Sequence, residues 1–127
     1  MNQVSSNKGY KKLKVWQEAH KLTVMVYKET RKFPKEELFS LTNQIRRAAV
    51  SVPANIVEGQ ARGSKKLFRQ FLNIANGSLV EVEYYLELSK ELSYLTGRQF
   101  DELDQQRLLV GRMLNGLAKS VRKNLET

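Results

Sequence analysis

The stretch Gln44-Ile45-Arg46-Arg47-Ala48-Ala49-Val50-Ser51-Val52-Pro53-Ala54-Asn55-Ile56-Val57-Glu58-Gly59 decides how this chain is read. Leu41, Ile45, Ala48, Val52 and Ile56 recur at helical spacing, so the segment is a helix. It starts near Ser40 and is ended by Gly59 or Gly63. It also carries adjacent arginines, an interior proline and an Asn/Glu pair, which packing alone does not require. Pro53 lacks an N–H and its ring clashes with the carbonyl four residues earlier. It should kink the helix and leave the Ala49 carbonyl free; the alternative, a helix end, is disfavoured because Asn55 to Glu58 keep the apolar spacing going. Arg46 and Arg47 point about 100° apart, so at most one faces the core side. One is expected to pair with Glu81 or Glu83 across an antiparallel contact, and the other to face solvent, an interface or RNA. Asn55 and Glu58 lie three apart and share a face. They are expected to take hydrogen bonds from Arg62, Arg112 or loop amides near a subunit boundary, with contact to a ligand or partner as the alternative. A lone carboxylate with no second acid, His or Cys beside it makes a poor catalytic set.

The flanking segments extend the same pattern. Val15, Ala19, Leu22 and Val26 form a first helical stripe, widened by Trp16 and Met25. Pro34 disfavours helical geometry at Phe33 and should stop that helix there. Ser64 is a plausible N-cap for a long third helix with two stripes. One contains Phe68, Leu72, Ala75, Leu79, Val82 and Leu86; the other contains Phe71, Ile74, Tyr85, Leu88 and Leu92. A single stripe suffices for a bundle core, so the second suggests a further surface covered by another subunit or a loop. Thr96 and Gln99 form a capping box, with Leu95 and Phe100 placed as its hydrophobic staple. Phe100, Leu103, Val110, Leu114, Leu117 and Val121 supply the core face of the fourth helix. Gly77, Gly111 and Gly116 inside helices each cost about 1 kcal/mol relative to Ala, which suggests close helix approach there.

No strand-like alternation occurs. The expected fold is all-α, an antiparallel up-down-up-down four-helix bundle with helices roughly 14–33, 40–61, 64–95 and 97–123. The 127 residues suit one domain, spanning 13–127, behind a flexible basic segment over 1–12.

Composition narrows the function classes. There is no cysteine, hence no disulfide framework and no thiolate metal site, and His20 alone makes no histidine cluster. No Gly-rich phosphate loop, metal-ligand spacing or Ser/His/Asp arrangement is present, so the reading is of a protein that is not an enzyme and holds no metal or cofactor. No apolar run approaches the ~18 residues of a membrane span. The N-terminus is polar and basic with no apolar stretch behind it, which reads as unexported and cytoplasmic.

The formal charge is +9. Alternating helix direction gathers the start of helix 1, the helix 2–3 turn and the end of helix 4 at one tip. That tip collects Lys8, Lys11, Lys12, Lys14, Arg62, Lys65, Lys66, Arg69, Lys119, Arg122 and Lys123 against only Glu58 and Glu126. At the opposite tip carboxylates outnumber cations, so nearly all of the excess sits at one pole. Such a pole attracts phosphate backbones over about 10 Å at moderate salt. The candidate nucleic-acid-binding residues are Lys11, Lys12, Lys14, Arg62, Lys65, Lys66, Arg69, Lys119, Arg122 and Lys123. The plainer alternative is solvated helix ends that complement the C-terminal dipole of helix 4. Trp16, Phe68, Phe71, Tyr84 and Tyr85 fall mostly on or beside core stripes, which leaves little for base stacking. Backbone-directed binding is the form the charge supports.

The chain resembles the four-helix-bundle family encoded within intervening sequences of bacterial 23S rRNA. Leu13-Lys14-Val15-Trp16 opening helix 1, Phe33-Pro34 closing it and the Gln44–Gly59 motif carry the resemblance. So do Arg62-Gly63-Ser64-Lys65-Lys66, Phe71-Leu72-Asn73-Ile74-Ala75-Asn76-Gly77-Ser78-Leu79-Val80-Glu81 and Gly111-Arg112-Met113-Leu114-Asn115-Gly116-Leu117. It implies an up-down bundle assembled as a barrel-like homopentamer, as family members and the related accessory variability proteins of diversity-generating retroelements form. The latter are similar in being basic and in binding nucleic acid and a reverse transcriptase. No enzymatic activity is established for the family. The expected function is a non-catalytic pentamer binding structured RNA or other nucleic acid through the basic pole. The alternative is a protein-interaction scaffold of a ribonucleoprotein or retroelement-type complex, without direct nucleic-acid contact. Arg46, Arg47, Pro53, Asn55, Glu58 and Arg112 are expected to serve structure or the subunit interface.

Overall fold

Capping and apolar spacing mark out four helices, and the computed structural model, which describes residues 9–126 and side chains as far as Lys123, contains them. They are α1 (Lys14–Glu29), α2 (Leu41–Ala61), α3 (Lys65–Glu91) and α4 (Gly97–Glu126). α1 packs on α2, α2 on α3, α3 on α4, and α4 back on α1, which closes the ring of an up-down-up-down bundle. No strand occurs among the described residues.

Each end has a local cause. Phe33 is extended, as the residue before a proline must be. The last turn before it, Thr30–Lys32, tightens to 3-10 geometry, so α1 ends at Glu29 rather than near 33. A second 3-10 turn, Lys35–Glu37, lies in the α1–α2 connection where no element is expected from sequence. At the α2–α3 turn, Gly63 takes φ +67, a backbone state a Cβ would strain. The Ser64 side chain then accepts from the Leu67 amide at 3.3 Å and caps α3 as expected. α3 stops at Glu91, short of the expected 95. Ser93 turns left-handed at φ 64, and the Tyr94 and Leu95 amides return to the Ser89 carbonyl at 2.9 and 3.3 Å. α4 begins with the expected capping box. The Gln99 amide donates to Thr96 Oγ1 at 3.1 Å and the Thr96 amide to Gln99 Oε1 at 2.8 Å, with Leu95 and Phe100 both buried beneath.

The first stripe of every helix is the core, with Phe68 and Leu117 only partly buried at its edge. Leu22, Ile45, Ile56, Leu72, Leu86, Leu103 and Leu114 are its largest fully buried side chains. The second stripe of α3 divides: Phe71, Tyr85 and Leu88 are partly covered within the chain, while Ile74 and Leu92 stay exposed. Polar ties also cross the bundle. Buried Gln106 of α4 donates to the carbonyl and the carboxylate of Glu18 on α1, both at 2.9 Å. The Tyr94 hydroxyl donates to Glu37 at 2.8 Å and joins the α1–α2 and α3–α4 connections at one tip. That carboxylate bond, then burial and the Glu37 and Glu36 charges, raises the Tyr94 phenol above its ordinary value.

Of the segment expected to lead in flexibly, Gly9–Lys12 form a 3-10 turn, and residues 1–8 lie outside the described part. The turn is held against α1. Gln17 Nε2 donates to the Lys11 carbonyl at 2.8 Å, and the Tyr10 ring meets Trp16 edge-on at 4.9 Å.

Candidate nucleic-acid interface

The two ends of the bundle differ sharply in what their turns carry. At the tip opposite Tyr94 three basic segments converge. The Gly9–Lys12 turn lies beside the end of α2, where a Cβ on Gly9 would stand 3.9 Å from Gln60 Nε2. The first turns of α3 face the last turns of α4 across a cleft lined by Arg69, Asn73, Asn115, Ala118, Lys119 and Arg122. Lys11, Lys12, Lys14, Arg62, Lys65, Lys66, Arg69, Lys119, Arg122 and Lys123 are all exposed. Lys8 and Glu126, which the charge reading placed at the same tip, fall outside the described side chains. Among the described residues Arg62 alone of the ten makes an ion pair, with Glu58 at 3.4 Å, and its guanidinium also stacks 5.2 Å over the Phe71 ring. Arg62 is thereby partly committed to the α2–α3 turn, and the other nine meet no carboxylate among the described residues.

The residues of the α2 motif are disposed differently from expectation in several respects. α2 runs through Pro53, which is buried, and the Ala49 carbonyl that it frees accepts from the Thr23 hydroxyl of α1 at 3.1 Å. Neither Arg46 nor Arg47 pairs with Glu81 or Glu83 among the described residues. Arg46 turns toward α1 instead. Its Nε donates to Thr30 Oγ1 at 2.8 Å and its Cζ lies over the Tyr27 ring, 4.9 Å from the centroid. Glu83 is taken by Arg107 at 3.6 Å, and Arg107 also donates to Asp104 at 2.8 Å. Sequence reasoning passed over Arg107, although its spacing of three from Asp104 was an available signal. Arg47 is exposed and lines a polar cleft of about 420 Å³ with Gln44, Ser51, Ser78 and Glu81.

Among the described residues Asn55 receives no hydrogen bond from Arg62, Arg112 or a loop amide. It donates to Ser51, at 2.7 Å to the carbonyl and 2.9 Å to the hydroxyl, and that hydroxyl lies 2.7 Å from Ser78 on α3. Asn55 therefore organises a small polar seam between α2 and α3, while Glu58 meets Arg62 as expected. Arg112 is exposed, without an ion-pair partner among the described residues, in a groove with Val80, Leu108 and Asn115. The expected close approaches at Gly77, Gly111 and Gly116 are corrected as well. A Cβ at Gly77 or Gly116 would meet open space, and one at Gly111 would make ordinary contact with Leu79 at 3.4 Å. The tight point is Gly59, where a Cβ would lie 2.7 Å from Phe71 Cβ and 2.9 Å from Phe68 Cδ1.

Two exposed apolar features complete the surface. Ile74, Val80 and Tyr84 are 52%, 56% and 61% exposed along the outer side of α3, so Tyr84 is not a core aromatic. Phe39, 90% exposed beside Leu38, projects from the α1–α2 connection. No group of three or more side chains able to hold a metal ion occurs among the described residues, and no helix there is long and apolar enough to cross a membrane.

The family model described as 23S rRNA-intervening sequence protein matches residues 11–116. A solved structure from Bacteroides thetaiotaomicron, of a protein with unknown function from the S23 ribosomal protein family, superposes with a TM-score of 0.75. It is 27% identical, and the match covers 83% of this chain and 95% of that one. No curated protein matches the chain.

Proposed function

The chain belongs to the 23S rRNA-intervening sequence protein family, and from that premise we propose that it is a non-catalytic, cytoplasmic homopentamer that binds structured RNA or another nucleic acid through its basic tip. One observation carries the reading. Ten exposed cations converge at one end of the bundle, and among the described residues only Arg62 has a carboxylate partner. Unpaired cations so concentrated raise the local potential and draw phosphate chains toward the tip. Assembly draws support from Ile74, Val80 and Tyr84, apolar side chains that the described residues leave more than half exposed and that a neighbouring copy would bury. Five tips around one axis add their fields.

Filter binding of 23S rRNA fragments across a salt series tests the reading. Affinity should fall log-linearly with salt, with a slope near −0.9 per phosphate contacted on a duplex and about −0.7 on a single strand. No binding at low salt, or binding indifferent to salt, overturns it. Sedimentation equilibrium tests the assembly: the expected mass is five times the 14.7 kDa chain, and a monomer at micromolar concentration overturns the pentamer.

A second reading, a protein-interaction scaffold, draws on Phe39 and Leu38, an apolar pair at the opposite tip that fits an anchor for a partner protein. Capture from native lysate after nuclease treatment separates the two. Partners that survive the nuclease favour the scaffold, and partners lost with the nucleic acid favour the basic tip.

A further inference from the structure

The cations of the basic tip are not equivalent. Arg62 is held by Glu58 and Phe71, whereas Arg69 and Arg122 face a common cleft from opposite helices. On α3, Arg69 and Asn73 lie four apart; on α4, Asn115, Lys119 and Arg122 follow at steps of four and three. Each set occupies one helix face. Because the helices run antiparallel, the two faces meet over Ala118, whose small side chain leaves the floor open. The space is about 250 Å³, several water molecules' worth at roughly 30 Å³ each.

We propose that this α3–α4 cleft is a phosphate-seating subsite that takes one backbone phosphate of the nucleic acid; the inference rests on the reading of the basic tip given above. Three features of the cleft carry it. First, among the described side chains its polar lining is made of cations and amides, with no carboxylate. That bias extends along both helices: α3 has no acid from Lys65 to Val80, and α4 has none between Asp104 and Glu126. Second, Arg69, Lys119 and Arg122 repel one another across the cleft with no counter-ion among the described side chains, an arrangement that a bound anion relieves. Third, Asn73 and Asn115 are mediocre helix formers at exposed interior positions, yet both border this cleft, where their amide N–H groups can donate to an oxyanion.

The chemistry suits a phosphate diester. An arginine fork pairs two N–H donors with two phosphate oxygens, a geometry that a scattered surface lysine does not offer. One arginine from each helix grips the group from two sides, Lys119 adds a point charge, and the two asparagines fix its height in the cleft. Asn115 also borders the neighbouring groove with Asn76, Val80, Leu108 and Arg112, which continues toward the middle of the bundle.

The test compares two charge-matched variants of the full chain in RNA filter binding: R69Q/R122Q in the cleft, and K11Q/K12Q at the same tip outside it. All four side chains are exposed. The cleft variant should lose at least tenfold more affinity than the control, and its salt slope should flatten by about one phosphate contact. N73A/N115A, which changes no charge, should weaken binding several-fold while the melting temperature holds or rises, since Ala is the better helix former. Equal losses in the two charge variants, with wild-type binding intact, overturn the cleft and leave the basic tip standing. A second measurement follows the Asn73 and Asn115 side-chain amides by NMR during titration with inorganic phosphate. Saturating shifts that vanish in R69Q/R122Q support the cleft even where RNA does not bind, in which case the nucleic-acid reading falls alone and the anion is a free phosphate. Absence of both RNA binding and phosphate shifts overturns both.

Discussion

The Thr23 hydroxyl on α1 lies 3.1 Å from the Ala49 carbonyl oxygen on α2, the one carbonyl of that helix that Pro53 deprives of its N–H partner. The same hydroxyl sits 3.0 Å from the Ala19 carbonyl, so its single proton is shared between its own helix and the neighbour. A proline defect in one helix is thus satisfied by a threonine in another, and both residues are buried. Thr23→Val should destabilise the bundle by about 1–2 kcal/mol, because it leaves a buried carbonyl unpaired. In a Pro53→Ala background the helix regains the missing N–H, and the same threonine substitution should cost only a few tenths of that. Urea unfolding of the four-member cycle reads the difference; equal costs in both backgrounds would sink the coupling.

Gly59 is the contact on which α2 and α3 close. Gly59→Ala should cost about 1–3 kcal/mol, since its methyl must displace Phe71 and Phe68 against a packed seam. Gly116→Ala should go the other way, gaining roughly 0.5–1 kcal/mol from helix propensity in open space. Thermal unfolding of the two variants gives opposite shifts in Tm if the geometry is right.

Tyr94 links stability to alkaline pH. Its phenol is raised in the folded state, first by the hydrogen bond to Glu37. A group whose folded pKa exceeds its unfolded value, here about 10, contributes fully below that value and loses its contribution as pH rises through the folded pKa. The wild type should therefore lose stability more steeply above pH ~10 than Tyr94→Phe. Denaturant midpoints at neutral and strongly alkaline pH test this; parallel curves would count against the bond.

Arg107 is the buried-side ion pair that ties α3 to α4, with only 12% of its side chain exposed. Arg107→Leu keeps much of the apolar stem but removes the pair to Glu83 and the bond to Asp104. The half-exposed Glu83 limits the electrostatic part of the loss, so the expected cost is about 1 kcal/mol. Raising salt should shrink it, and a loss that is indifferent to salt would show packing to be the main contribution.

How far the fold was legible follows from the range of the forces involved. Ser64, the Thr96/Gln99 box and Phe33-Pro34 act within one helical turn, and each lies where local spacing put it. The left-handed Ser93 that ends α3 early is a non-glycine in a glycine conformation, and local sequence carries no mark of it. The site was legible in its charge but not in its arrangement. Ten cations could be assigned to one tip once helix direction alternated, yet nothing in the spacing of Asn73 and Asn115 says that they face each other across a cleft.

Apolar periodicity, caps and the order of four helices were enough to specify an all-α bundle and, through its alternating path, a basic end. Those properties rest on interactions between near neighbours in the chain. Which partner Arg46 takes, whether Gly59 or Gly77 carries the close contact, how the Ala49 carbonyl is satisfied and where Arg69 meets Arg122 depend on the rotation and offset of one helix against another. That offset is set by the interlocking of side chains from distant segments, and it exists only once the helices have packed.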